Sequence, residues 1–81
     1  MRLDKYLKVT RIIKRRTVAN DACDAARVTV NTRPAKASYD VKVGDVIEVG
    51  FGGRTLKIRV LEVKEIVGKA DATALYEVIE E

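Results

Sequence analysis

Eighty-one residues are enough for one domain with a single hydrophobic core and too few for two. Apolar residues make up 47% of the chain, but Trp is absent and aromatic residues are scarce, so the core must be built from Val, Ile, Leu and Ala. The single Cys excludes an intrachain disulfide. Together with the lack of a signal-peptide pattern and of any long apolar run, it predicts a cytoplasmic protein without a membrane span.

The net charge of +4 is unevenly distributed along the chain. Residues 1–36 carry ten Lys or Arg against three Asp, a net +7, whereas residues 37–81 carry six Lys or Arg against nine Asp or Glu, a net −3. A folded domain with this division has a basic face, and basic faces usually bind polyanions. The alternative, a surface that is only well solvated, would mix the two signs of charge. We therefore expect a nucleic-acid backbone to bind the first third of the chain.

Two short helices are predicted in this basic third. In the first, apolar residues recur at the i, i+3, i+4 spacing of a buried stripe, namely Leu3, Tyr6 and Leu7. Three cations fall outside that stripe, Arg2, Lys5 and Lys8, and Asp4 occupies the first turn, where a negative charge suits the helix dipole. The second helix is predicted over residues 16–26, with a stripe of small residues, Ala19, Ala22, Cys23 and Ala26. We interpret Cys23 as a small core residue.

From Val28 onward the apolar period changes from 3.6 to 2, which predicts strands. We expect strands at 28–30, 36–39 (weak), 46–49, 55–63 and 75–79, with turns at 31–34 and 51–53 and a mobile loop at 68–73. Glu80 and Glu81 are expected to be solvated. The predicted fold class is therefore α+β, with two N-terminal helices packed on a small, mostly antiparallel sheet of four to five strands.

Three consecutive cations, Lys14, Arg15 and Arg16, stand where the second helix begins. That end of a helix carries a partial positive charge and favours anions, and Thr17 is the only conventional cap residue nearby. The cluster is explained if a phosphate docks there, because backbone N–H groups and Arg side chains then converge on one anion. The alternative is a solvated charge run. Arg33 and Lys36, on the turn after the first strand, either extend this surface or face solvent.

No catalytic constellation is found in the sequence. The chain has no His and one isolated Cys, so the common general bases, nucleophile pairs and zinc sets are missing. Gly50, Gly52 and Gly53 flank Phe51 in a hairpin and match neither a P-loop nor a dinucleotide fingerprint. We predict a binding protein that is not an enzyme, with no metal, cofactor or small-molecule substrate.

Several short motifs resemble the S4 RNA-binding domain: Arg2-Leu3-Asp4-Lys5, Arg16, Ala19, Val28-Thr29-Val30-Asn31, Lys36 and Val43-Gly44-Asp45. The resemblance implies the S4-like (alpha-L) fold in a single S4 domain over residues 1–81, with a core motif at 1–49 and a C-terminal strand extension at 50–81. Ala26 and Thr32 stand where that family usually has Gly, which predicts local strain at both positions.

The whole chain, including the run from Arg11 to Thr17, is similar to the stand-alone S4 proteins of bacterial ribosome-associated quality control, relatives of a ribosome-associated heat-shock protein. The resemblance implies binding to the large ribosomal subunit through 23S rRNA and a blocked peptidyl-tRNA, and support for an RqcH-type factor that adds C-terminal alanine tails. The implied RNA-binding residues are Arg2 and Arg16, with Lys5, Arg11, Lys14, Arg15 and Lys36 in support. Two alternatives remain open: a general rRNA- or tRNA-binding S4 protein in ribosome assembly or recycling, and a basic protein–protein adaptor.

Overall fold

The computed structural model of the chain describes residues 1–64, 68 and 70–79. Helix α1 spans Leu3–Val9, and the predicted stripe is confirmed, since Leu3, Tyr6 and Leu7 are fully buried. The helix ends where the Thr10 hydroxyl donates to the carbonyl of Tyr6 at 2.8 Å. Arg11 follows in a left-handed conformation, with φ of 63°.

Helix α2 spans Arg16–Asp24 and ends two residues before its predicted end. The N–H of Ala26 donates to the carbonyl of Cys23, and the N–H of Arg27 donates to that of Ala22. This pair of hydrogen bonds closes the helix as a Schellman motif, with Ala26 in the left-handed position at φ of 58°. Ala19 and Cys23 are buried as predicted, but Ala26 is exposed, so its placement on the buried stripe was wrong.

The remaining elements form one five-stranded sheet in which all neighbours are antiparallel. Its strands are β1 (Val28–Val30), β2 (Arg33–Pro34), β3 (Val46–Phe51), β4 (Arg54–Val60) and β5 (Tyr76–Val78), in the order β2-β1-β3-β4-β5. Two helices with this sheet confirm the predicted fold class.

The second strand lies earlier in the chain than the sequence predicted. Asn31 and Thr32 both have positive φ, 52° and 72°, and make a two-residue turn, so the chain returns at Arg33. Residues 36–39, predicted as a weak strand, instead form a turn against α1, with the carbonyl of Tyr39 accepting from the N–H of Leu3 at 2.8 Å. The left-handed φ of Thr32 and of Ala26 confirms that both stand at positions suited to Gly.

The C-terminal extension is joined to both the sheet and α1. Strand β4 alternates as predicted, but it ends at Val60 because the next two N–H groups donate to the carbonyl of Leu75. That carbonyl also accepts from the Tyr6 hydroxyl at 2.8 Å. Leu75 is thus the buried end of a short 3-10 helix, Ala72–Leu75, and the last strand begins one residue later than predicted.

Part of the predicted loop at 68–73 lies within that 3-10 helix, and Lys69 lies outside the described residues, as do Glu80 and Glu81. No helix within the described part of the chain is long and apolar enough to cross a membrane.

Candidate nucleic-acid interface

The carboxylate of Asp4 joins the starts of the two helices. Its Oδ1 accepts from Nε of Arg2 at 3.2 Å, and its Oδ2 accepts from Nη2 of Arg2 and from Nε of Arg16, each at 3.3 Å. The N–H of Lys5 and the amide of Asn20 also donate to it, at 2.8 Å and 3.5 Å. Two arginines that lie fourteen residues apart in sequence are therefore held on one acceptor.

Burial differs sharply across this arrangement, which we call the Asp4 cluster (Arg2, Asp4, Arg16 and Asn20). The Asp4 side chain is 2% exposed, whereas those of Arg2 and Arg16 are 50% and 47% exposed. Burial alone would raise the pKa of Asp4, but hydrogen bonds from both arginines, from the Lys5 N–H and from Asn20 outweigh it and lower that pKa. The carboxylate stays charged and buried, while about half of each arginine side chain is exposed to solvent.

The start of α2 lacks the usual cap. Arg15 occupies the N-cap position and makes no side-chain capping bond, and the first turn contains no acidic residue. Thr17, the conventional cap residue nearby, lies inside the helix instead. A depression of about 360 Å³ lies beside this turn, lined by Arg2, Asp4, Arg16, Thr17, Asn20 and Asp21. An uncapped helix start with two exposed guanidinium groups beside it can bind a phosphate.

Lys36 lies in the turn that packs against the start of α1. The carbonyl of Ala37, its neighbour, accepts from the N–H of Asp4 at 3.2 Å. Lys36 and Arg33 are exposed and line a second groove of about 690 Å³ together with Tyr39. The structure therefore brings the Lys36 turn to the same end of α1 as the Asp4 cluster.

Three of the other predicted cations, Lys14, Arg15 and Arg11, lie outside the Asp4 cluster. Lys14 and Arg15 are exposed and line a third groove, on the side of α2 that faces strand β3. Arg11 is exposed in the loop between the helices, and Lys5 is partly buried. Within the described residues the side chains of Lys14, Arg15 and Arg11 make no hydrogen bond or ion pair with Asp4, whereas Lys5 reaches it through its backbone N–H.

Asp4 and Asn20 were missed as parts of the site, because Asp4 was assigned only to the helix dipole. A helical-wheel projection could have predicted that Asp4 is part of the site. At 100° per residue Asp4 falls about 60° from Leu7, at the edge of the buried stripe, where a carboxylate needs a partner. Asn20 directly follows the buried Ala19 on the facing helix.

The chain matches the family model described as S4 domain over residues 1–47. Across its full length it is 54% identical to the RQC P-site tRNA stabilizing factor of Streptococcus pneumoniae, covering 92% of that protein. It is 46% identical to the factor of the same name from Bacillus subtilis, covering 100% of this chain and 94% of that protein.

The fold has a close counterpart among solved structures. The trimeric structure of Vibrio cholerae heat shock protein 15 superposes with a TM-score of 0.91 at 29% identity, covering 98% of this chain and 81% of that one. The sequence match, the full-length relatives and the shared fold agree. The chain therefore belongs to the S4 domain family, within the group whose full-length members are named RQC P-site tRNA stabilizing factor.

Proposed function

We propose that this protein is a cytoplasmic RNA-binding factor of ribosome-associated quality control that acts by binding and catalyses no reaction. It binds the large ribosomal subunit that carries a blocked peptidyl-tRNA, with contacts to 23S rRNA and to the tRNA. The observation that carries this proposal is the Asp4 cluster, in which the half-exposed Arg2 and Arg16 share one buried carboxylate at an uncapped helix start.

The cluster suits RNA backbone better than it suits a particular base. Arginine guanidinium groups match phosphate oxygens in bidentate geometry, and such contacts fix position while carrying little sequence information. Within the depression itself the charges of Asp4 and Asp21 balance those of the two arginines. The positive excess therefore comes from the surrounding Lys5, Arg11, Lys14, Arg15 and Lys36, which supply long-range attraction to a polyanion.

The relatives support a more specific role. Their name describes a factor that stabilises a tRNA in the ribosomal P site during quality control. A small domain that holds phosphates of two RNA molecules at once can keep a tRNA in place while another factor works. We propose that this other factor is an RqcH-type protein, which adds C-terminal alanine to the stalled chain.

The test is co-sedimentation of the purified protein with large ribosomal subunits, with and without bound peptidyl-tRNA. We expect preferential binding to the tRNA-blocked particles. Arg16→Gln should weaken this binding about tenfold or more, since a charge-assisted hydrogen bond contributes roughly 1.5–3 kcal/mol. Lys42→Gln is the matched charge control, because Lys42 is exposed in the turn before β3 and is not among the residues that line the depression beside α2.

Other outcomes select the alternatives. Equal binding to empty and blocked particles would indicate a general rRNA-binding S4 protein of assembly or recycling. A complex that survives digestion of the RNA would indicate a protein–protein adaptor. If about five phosphates are neutralised, log affinity should fall with log salt at a slope of roughly −3 to −5.

A further inference from the structure

The groove between α2 and the β3–β4 hairpin has no role in the contacts described so far. It encloses about 520 Å³, and its floor is apolar, formed by Ile12, Ile13, Val18, Ala22, Val49 and Phe51. Val18 and Phe51 both line this groove and are 50% and 42% exposed, so they form an apolar patch that is open to solvent. The groove is large enough for a small planar ligand.

The charged side chains described around this apolar surface are all cations. In the part of the chain that the structure describes, Lys14, Arg15 and Arg27 are the charged residues that line the groove, and no acidic residue lines it. Among the described residues the side chains of these three make no ion pair. An aromatic ring and an aliphatic side chain inside a cationic rim match an unstacked nucleotide, whose base is apolar on its faces and whose phosphate is an anion.

We propose that this groove binds one unpaired nucleotide of an RNA, with the base against Phe51 and Val18 and its phosphates on Lys14, Arg15 and Arg27. The inference rests on the proposed RNA-binding function and adds a second contact to it. RNA is favoured over an acidic peptide because Lys14 and Arg15 run directly into Arg16, so one strand can pass from the groove to the Asp4 cluster. The cluster holds backbone, and the groove selects a base that is out of its stack.

The experiment compares two RNA hairpins with the same stem, one fully paired and one with a single bulged 2-aminopurine. We expect the bulged hairpin to bind more tightly and its 2-aminopurine fluorescence to be quenched on binding. Phe51→Leu keeps an apolar side chain at this exposed position but removes the ring. It should abolish the quenching and weaken binding of the bulged hairpin about tenfold, because stacking on an aromatic side chain contributes roughly 1–3 kcal/mol per base. Phe51→Tyr should retain both effects.

Arg27→Gln tests the phosphate contact, and it should reduce the slope of log affinity against log salt by about one for the bulged hairpin. Val43→Ala is the apolar control, since Val43 is exposed just before β3, at the opposite end of that strand from Phe51, and it should change nothing.

Equal affinity of wild-type protein for the two hairpins, with binding of both lost in Arg16→Gln, would overturn the groove proposal and leave the RNA-binding function intact. Failure of wild-type protein to bind either hairpin would count against both. If Phe51→Leu instead reduced binding of an acidic leucine-rich peptide and left both hairpins unaffected, the groove would be a protein-docking site.

Discussion

Arg16 donates a hydrogen bond from Nε to Oδ2 of Asp4 at 3.3 Å, which ties the first residue of α2 to the first turn of α1. Arg2 donates twice to the same carboxylate. Since these bonds use the Nε sides of the two guanidinium groups, most of their terminal amine hydrogens remain directed away from Asp4. Asp4 is therefore an internal counter-ion for two arginines, and we infer that it orients them for the proposed phosphate contact.

This arrangement leads us to expect that Asp4→Asn weakens RNA binding, although it makes the protein more positive. Loss of the charge releases two long side chains, and ordering each again on binding costs roughly 0.5–1.5 kcal/mol. We expect the affinity for a paired RNA hairpin to fall about fivefold to a hundredfold, measured by fluorescence anisotropy at fixed salt.

Asp21→Asn is the matched control for that experiment. Asp21 lines the same depression and is exposed, and its side chain makes no bond to either arginine within the described residues. Removing its charge should leave RNA affinity equal or slightly higher through electrostatics alone. If Asp4→Asn also bound RNA more tightly, the orienting role of Asp4 would be wrong.

The lowered pKa of Asp4 makes part of the stability depend on pH. A carboxyl whose pKa is lower in the folded than in the unfolded state stabilises the fold above its unfolded value, near 3.8, and this contribution is lost as the pH falls through the folded value. We expect the difference in Tm between wild type and Asp4→Asn to be constant from pH 7 to about 5 and to shrink at lower pH. A difference that stayed the same down to pH 2.5 would show that ionisation of Asp4 does not contribute.

Features that lie within one helix or strand could be predicted from the sequence. The buried stripe of α1, the core position of Cys23 and the alternation of β4 follow from periodicity within one element, and all three were confirmed. The cations at the start of α2 were also placed correctly, because a helix start is a local signal. Their role in RNA binding stays a prediction.

Features that join distant segments could not be predicted in the same way. The turn was predicted over residues 31–34 and β2 consequently too late, whereas Asn31 and Thr32 alone make the turn by adopting positive φ, which a β-branched Thr rarely does. The convergence of Arg2 and Arg16 on Asp4 depends on how the two helices pack together. It therefore cannot be predicted from the spacing of residues within either helix. Likewise, the contact of Phe51 with the α2 groove depends on the position of the β3–β4 hairpin.

Thr32 offers a direct stability test of the β1–β2 turn. With φ of 52° at Asn31 and 72° at Thr32, the two residues occupy positions that favour Asn-Gly, and Thr is β-branched. We expect Thr32→Gly to stabilise the protein by about 1 kcal/mol, because Gly relieves the left-handed strain. For a domain of this size that is a rise in Tm of roughly 4–8 °C. Thr32→Ala, which keeps a Cβ, should gain clearly less, and an equal gain would show that the strain is not at φ.

The reactivity of the Cys23 thiol reports how tightly α2 packs on its neighbours. Its side chain is buried, and burial, followed by the nearby charges of Asp4 and Asp24, raises the pKa of the thiol to about 11. Because the thiolate is the reactive form, only about a thousandth of the thiol is ionised at pH 8, and the reagent reaches it only when the helix opens. We expect iodoacetamide to label Cys23 slowly in the native protein and completely in denaturant, with the extent of labelling measured by mass spectrometry.

A Cys23→Ala, Ala25→Cys variant is the control. It carries the thiol at an exposed position and should label rapidly under native conditions. Equally rapid native labelling of Cys23 would mean that the small-residue stripe of α2 does not pack as the structure shows.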